Sequence, residues 1–235
     1  MKGIILAGGT GSRLHPLTRV TNKHLLPIYK KPMIYYSIEK LVNQGIKKII
    51  LVVGKQYAGH FIELLGSGRQ FNCLIYYVIQ DDPLGIAHAL SLTKEYVGKD
   101  NMCVILGDNI FGGNINMENF DTGARIFLKK VKDPERYGVP EVKDNKIINI
   151  VEKPKKRLSN YAVTGIYLFD NTIYDKLDRL IISSRGEYEI VEAINLYIKE
   201  DKLDYKELKG YWLDAGTFES YFETNKIIKE KEGIR

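Results

Sequence analysis

Through the first half of the chain, short apolar runs alternate with segments of helical spacing, and few folds tolerate that alternation. Lys2 to Leu6 (KGIIL) reads as a buried parallel strand that ends in glycines. Met33 to Gln44 carries apolar residues at Ile34, Ile38, Leu41 and Val42, a helical spacing, with Gly45 placed to end the helix. Lys48 to Val53 is a strand, Tyr57 to Leu65 a helix, Leu74 to Val78 a strand and Ile86 to Tyr96 a helix. Met102 to Leu106 is a strand that runs directly into Gly107-Asp108-Asn109. Strand–helix–strand repeats of this kind build right-handed crossovers and an α/β fold: a Rossmann-like, mostly parallel (mixed) central sheet flanked by helices. In such sheets ligands collect at the carboxyl ends of the strands. That rule singles out the glycine-rich loop after the first strand and Asp108 after the fourth.

The second half is mixed. Arg125 to Val131, Lys146 to Val151 and Ala162 to Phe169 are strand-like, and helices are expected over Ile173 to Leu180, Tyr188 to Lys199 and Phe218 to Lys229. Asn114 to Thr122 reads as a surface excursion. With no internal repeat or long linker, residues 1–235 are taken as one domain, read in two halves, 1–112 and 113–235.

Composition excludes several classes. With 44% apolar and 27% charged residues, the chain can bury a core and is not disordered. The formal charge of +6 suits anionic partners, but the charges are scattered. The densest basic run, Lys153 to Arg157, reads as a solvated loop, so no nucleic-acid partner is expected. Cys73 and Cys103 lie in apolar runs without a CxxC pair, which makes them core residues rather than zinc or redox ligands. The N-terminal apolar run is too short for a signal peptide, and nothing approaches the ~18 apolar residues of a membrane span. A cytoplasmic protein with no membrane partner is the expectation.

The chemistry begins at Leu6-Ala-Gly-Gly-Thr-Gly-Ser-Arg13. Gly8, Gly9 and Gly11 leave backbone N–H groups unshielded, so the loop can wrap phosphate oxygens. The dinucleotide pattern G-x-G-x-x-G started at Gly9 fails at Leu14, and the Walker pattern lacks both its spacing and its lysine. This is a different phosphate loop, with a built-in cation at Arg13. Lys23 follows ten residues later and can fold back on the same anion. Asp108, at a strand's carboxyl end, suits Mg²⁺, which takes one or two carboxylates and completes its shell with phosphate and water oxygens. Asp214 lies where a loop meets a helix. Read singly, each has a bland alternative: a tight turn for the loop, a solvated lysine for Lys23, a turn residue for Asp108, a helix cap for Asp214.

Taken in order, GIILAGGTGSRL, KHLLPIYKKPMIYYSIE, YYVIQDDPLGIAHA, LGDNIF, DPERYGV, EKP, SNYAVTGIYLFD, RGEYEI and WLDAGT resemble the sugar-phosphate nucleotidyltransferases over nearly the whole chain. The resemblance is strongest to short-form glucose-1-phosphate thymidylyltransferases. It implies a fold of the nucleotide-diphospho-sugar transferase type and the transfer of a nucleotidyl group from dTTP to glucose 1-phosphate, with products feeding surface polysaccharides and deoxysugars. It also implies Mg²⁺ as cofactor and assembly as a homo-oligomer.

By the same resemblance, Leu6, Gly8, Gly9, Gly11, Ser12 and Arg13 form the nucleotide loop, and Gln80, Pro83 and Gly85 the base pocket. Arg13, Lys23 and Asp108 are the catalytic set, and Asp108 and Asp214 bind the metal. Tyr137, Gly138, Glu152, Lys153, Val163 and Tyr167 shape the sugar-phosphate site. His24 stands where the family commonly has Gln, and Leu84 replaces a usually polar residue; both bear on which base and sugar are accepted. The chain ends soon after the helix that follows Asp214, where long forms continue into a helical segment. Three alternatives stay open: a UTP-dependent uridylyltransferase or another sugar-1-phosphate nucleotidyltransferase, a non-catalytic nucleotide-sugar-binding subunit, and an NAD-binding Rossmann enzyme, the last disfavoured by Leu14.

Overall fold

The computed structural model describes residues 1–144 and 146–233. The chain forms two compact units that interleave along the sequence. The first takes Gly3–Pro83, Ile105–Asn114 and the chain from Gly210 on. The second takes Leu84–Val104 and Ile115–Lys209, together with the first two residues.

In the first unit the strand order, starting from the end of Met102–Leu106, is Lys2–Ala7, Lys48–Gly54, Leu74–Gln80. Lys2–Ala7 and Lys48–Gly54 pair in parallel, as do Lys48–Gly54 and Leu74–Gln80. Ile4, Ile5 and Ile49 to Val53 are all buried, which is why these runs read as continuous apolar stretches rather than as alternating ones. The register sets Ala7 beside Val53 and Gly54 beside Gln80, so the glycine loop leaves the sheet at the same carboxyl end as Gln80. Helix Met33–Asn43 buries Met33, Ile34, Ile38 and Leu41. It stops at Gly45, whose φ of +79° lets its N–H reach the Val42 carbonyl while Ile46 bonds back to Leu41.

Two further elements of this unit were not legible as strands. Asn109–Phe111 and Trp212–Asp214 form an antiparallel pair, with Asp214 opposite Asn109. Helix Phe218–Glu232 follows, capped reciprocally by Thr217 and Ser220. Its Ile228 joins Ile28, Met33, Tyr36, Ile110 and Ala215 in one apolar cluster.

In the second unit the order is Leu203–Glu207, Ala124–Lys130, Tyr161–Phe169 and then Met102–Leu106. Ala124–Lys130 pairs in parallel with Leu203–Glu207 and antiparallel with Tyr161–Phe169, whose register shifts between Val163 and Tyr167. A separate ribbon, Gly138–Lys143 with Lys146–Glu152, is held to helix Ile190–Lys199 by Asn195, whose side chain both accepts from the Ile150 N–H and donates to its carbonyl. Arg125, buried at its strand's start, donates to the carbonyls of Asn116, Glu118 and Asn119 and so clamps the 114–122 excursion.

The mixed, mostly parallel sheet with flanking helices is the expected fold class. Three expectations need correction. The Ile86 to Tyr96 helix is two helices, Ile86–Ser91 and Lys94–Val97, because Thr93 turns its hydroxyl to the Leu90 carbonyl and to Tyr174. Cys103 is buried, but Cys73 is only partly covered, since it sits in the turn before its strand. Asp214 ends a strand, and the helix cap is Thr217. Among the described residues no helix is long and apolar enough to cross a membrane.

Candidate active site

The glycine loop is held from behind. The Gly9 carbonyl accepts from Asn22 Nδ2 (3.3 Å) and the Gly11 carbonyl from Thr18 Oγ1 (2.8 Å). Tying the carbonyls back leaves the N–H side of the loop for an anion. Gly11 has φ +67°, and a Cβ there would come within 3.0 Å of Thr18 Cγ2 and 3.1 Å of Lys23 Cβ. Only glycine fits both the backbone and the space. Leu14, fully buried, anchors the far end, while Ser12 and Arg13 stay exposed.

Sequence reasoning missed Thr18 and Asn22, and it treated His24 only as a departure from family pattern. All three are buried. Asn22 Oδ1 accepts from the His24 backbone N–H (3.0 Å) and sits 2.6 Å from His24 Nδ1. A carbonyl oxygen only accepts, so the proton is on Nδ1. Burial, aided by the charge of Lys23, lowers the His24 pKa to about 3, so the ring is neutral at any working pH.

Lys23 reaches across to Asp108: its Nζ contacts Asp108 Oδ2, with both side chains largely buried. Asp108 Oδ1 accepts from Asn109 Nδ2 (2.9 Å). Burial alone would raise the Asp108 pKa, but the Lys23 charge and the hydrogen bonds from Lys23 and Asn109 outweigh it and hold the carboxyl ionised, below the usual carboxylate range. Asp214 behaves oppositely. Burial and the neighbouring Asp108 charge raise its pKa against the opposing Gly216 N–H (2.8 Å), Lys23 and Arg13.

The strand pair Asn109–Phe111/Trp212–Asp214 and the Ala215 N–H, which donates to the Asp108 carbonyl (3.0 Å), bring the two aspartates together. One point locates the centre. A Cβ built on Gly216 would lie 2.8 Å from Asp214 Oδ1, 3.2 Å from Arg13 Nη2 and 3.6 Å from Asp108 Oδ2. Two residues distant in sequence thus converge with the loop's own arginine.

Among the described residues no cluster of three or more His, Cys, Asp or Glu could cage a metal. Two carboxylates crowding one point, with burial and the Asp108 charge together pushing Asp214 towards protonation, fit a divalent cation that takes one or two protein carboxylates and fills its shell from phosphates and water.

Gln80 is buried over the loop, and a Cβ on Gly8 would land on its Oε1. Pro83, three residues on, is exposed. Gly85 belongs to the second unit, where its φ is +101° and a Cβ would come within 2.8 Å of the Tyr188 carbonyl; Leu84 accepts from the Tyr188 N–H (2.8 Å).

The predicted sugar-phosphate residues also lie in the second unit. Glu152 pairs in register with Gly138, and a Cβ on Gly138 would meet Glu152 Oε2 at 3.5 Å. Lys153 adopts φ +44°, uncommon for a residue with a Cβ, and its N–H donates to the Tyr137 carbonyl (3.0 Å). Burial raises the Glu152 pKa, opposed by Lys153 and Arg185. Val163 and Tyr167 are almost wholly buried in their strand, Tyr167 stacked on Phe169.

Arg185 was not singled out from sequence, although RGEYEI contains it. It pairs with Glu152 (3.4 Å), Glu187 (3.2 Å) and Glu189 (3.0 Å). With Glu152, Ser183, Glu189, Asn195 and Lys199 it lines a polar cavity of about 400 Å³.

A glycine loop that is neither a Walker nor a dinucleotide loop, beside two converging aspartates on an α/β sheet, fits a nucleotidyl-transfer enzyme. Residues 2–231 match the nucleotidyl transferase family model, and the chain belongs to that family. Among its relatives, the glucose-1-phosphate thymidylyltransferase of Neisseria meningitidis is 41% identical over all of this chain and 85% of its own. That of Xanthomonas campestris is 42% identical over 97% and 80%. The crystal structure of an inferred glucose-1-phosphate thymidylyltransferase from Bacillus anthracis, complexed with sucrose, superimposes with a TM-score of 0.92 at 48% identity, covering 97% of this chain and 94% of that one. A UDP-glucose pyrophosphorylase bound to UDP-glucose shares the fold at 24% identity, with a TM-score of 0.85 and 98% of each chain covered.

Proposed function

We propose that the protein transfers a deoxythymidylyl group from dTTP to glucose 1-phosphate, forming dTDP-glucose and releasing pyrophosphate. The convergence of Arg13, Asp108 and Asp214 beside Gly216, on a loop whose carbonyls are tied back, carries this reading. The names of relatives near 40% identity over the whole chain support the choice of substrates.

A phosphate oxygen of the sugar 1-phosphate attacks the α-phosphorus in line, the new P–O bond forms, and pyrophosphate leaves on the opposite side. The nucleophile is already an anion, so no strong base is required. Catalysis rests on positioning and charge neutralisation. Arg13 and Lys23 neutralise the phosphates and the departing pyrophosphate. Asp108 and Asp214 are the residues that would hold magnesium, which when bound supplies further positive charge at the phosphate oxygens. Gln80 reads the pyrimidine edge, with Pro83 and Gly85 beside the base.

On the acceptor side, Glu152 takes sugar hydroxyls and Lys153 the sugar phosphate. The Arg185 ion pair fixes the Glu152 carboxylate. Gly85 apart, the residues given the nucleotide role lie in the first unit, and those given the acceptor role lie in the second. Assembly as a homo-oligomer in the cytoplasm belongs to the same reading, and light scattering checks the assembly.

The test is pyrophosphate release with Mg²⁺ and glucose 1-phosphate, with dTTP, UTP, CTP, ATP and GTP compared. Preference for dTTP, abolished by EDTA, is the expected result. Thymine differs from uracil by one methyl, worth about 1–3 kcal/mol in a pocket, so some UTP turnover accompanies it. Preference for UTP would keep the chemistry and change the base. No release across a panel of sugar phosphates would overturn the reading.

A further inference from the structure

We infer that Lys23 is a built-in stand-in for the metal: in the metal-free protein its ammonium neutralises Asp108, and divalent-cation binding releases it to the phosphate loop. The inference rests on the metal reading proposed above. It goes further by tying the two binding events to one side chain.

Lys23 Nζ contacts Asp108 Oδ2, the same oxygen that turns to the convergence point beside Gly216. The other oxygen, Oδ1, already accepts from Asn109. The carboxylate therefore cannot offer Oδ2 fully to a cation while Lys23 holds it. Nor is Lys23 distant from its second partner: a Cβ on Gly9 would lie 3.9 Å from Lys23 Cε and 4.0 Å from Nζ. The ammonium sits between the carboxylate and the loop, and a change of side-chain rotamer exchanges one for the other. Charge balance points the same way. Asp108 and Asp214 carry two negative charges when ionised, and Lys23 and Arg13 two positive. Lys23 and Arg13 already oppose the charge of the two carboxylates, so a divalent cation alone gains little from entering the site.

Three consequences follow from linkage. Free metal binds weakly, because it must displace an ion-paired lysine. A triphosphate strengthens metal binding by taking the released ammonium, and metal strengthens triphosphate binding by the same factor. Replacing the lysine by a neutral side chain moves the two affinities in opposite directions.

The experiment measures Mn²⁺ binding by electron paramagnetic resonance, with and without dTTP, in wild type and Lys23→Met. The variant is expected to bind free Mn²⁺ at least tenfold more tightly than wild type, and dTTP at least tenfold more weakly. Equal or weaker Mn²⁺ binding by the variant, with wild type still binding Mn²⁺ in the presence of dTTP, overturns the exchange and leaves the metal reading standing. No Mn²⁺ binding to wild type under either condition overturns both.

Should the variant not fold, because two buried carboxylates are left facing each other, wild type gives the answer. Competitive labelling with acetic anhydride, read by mass spectrometry, is expected to show Lys23 acetylation rising severalfold when Mn²⁺ alone is added, with other lysines unchanged. Unchanged labelling at saturating Mn²⁺ overturns the exchange.

Discussion

At the scale of single residues, the site depends on small side chains in crowded places. Gly8 lies under Gln80, which is buried and has little room to withdraw. Gly8→Ala is therefore expected to fold but to displace the amide proposed to read the base. Losing one or two net hydrogen bonds of about 1 kcal/mol each corresponds to a five- to thirtyfold rise in the KM for dTTP. The KM for glucose 1-phosphate should not move, and steady-state kinetics with each substrate varied in turn checks the split. Equal effects on both would mean that Gln80 shapes the site generally rather than the base pocket. Arg13→Ala and Asp108→Ala remove charge from the convergence point, and each is expected to lower turnover by about a hundredfold or more, comparable to deleting one preorganised charge stabiliser. Near-normal turnover in both would refute the assigned chemistry.

At the scale of elements, the decisive piece is a pair of three-residue strands. Asn109–Phe111 and Trp212–Asp214 are too short to stand alone, yet their pairing carries Asp214 to Asp108. Trp212 Nε1 donates to Asn109 Oδ1 (2.6 Å), and Asn109 in turn donates to Asp108 Oδ1. This relay fixes the carboxylate's orientation. Trp212→Phe leaves the buried Asn109 carbonyl short of a donor, which costs about 1–3 kcal/mol. We expect a lower urea midpoint together with a severalfold higher Mg²⁺ concentration for half-maximal turnover. A stability loss with unchanged Mg²⁺ dependence would show that the relay is only structural.

The sheet margins are also managed element by element. Leu203–Glu207 alternates charge along its edge. Leu74–Gln80 has no charge, but its Ile75 N–H bonds to the Ser67 carbonyl and Tyr77 Oη donates to Gly66, so a turn covers part of that edge.

At the scale of the whole molecule, burial sets an upper limit on pH. Burial pushes the Cys103 thiol from an ordinary 9.0 up to about 12, and the Tyr174 phenol from 10.0 to about 12 despite its hydrogen bond with Thr93. Tyr36 and Tyr197 are raised in the same direction, again chiefly by burial. Cys103 and Tyr174 are acids whose folded pKa values are raised to about 12. Their contribution is fully present below pH 9, and it is lost as pH rises from there to about 12, because the unfolded chain ionises first. Each such group costs about 1.4 kcal/mol per pH unit within its window. Urea midpoints are expected to hold level from pH 7 to 8.5 and to fall steeply above pH 9.5. Tyrosinate absorbance should appear only with unfolding for the buried rings. A flat profile to pH 11 would mean these groups ionise in the folded state.

The fold class and most of the elements were legible in the residue pattern alone. An apolar run buried on both faces suits a strand in a covered sheet, and helical spacing closed by Gly45 leaves little freedom. The sequence also marked Gly8 to Gly11 as a tight loop, because glycine at position 11 serves a left-handed backbone that side chains rarely adopt. Motif order carried the family. Local signals could not reach further. Asn109–Phe111 and Trp212–Asp214 have no strand pattern of their own and exist because each supplies the other's hydrogen bonds. Asn22, Thr18 and Arg185 are ordinary polar residues until folding places a loop carbonyl or a carboxylate within reach. The sequence shows two aspartates about a hundred residues apart. Only the tertiary structure decided that they face one point with Arg13, and that Lys23 sits on Asp108. Electrostatic interaction depends on separation in space, and the chain alone does not specify that separation.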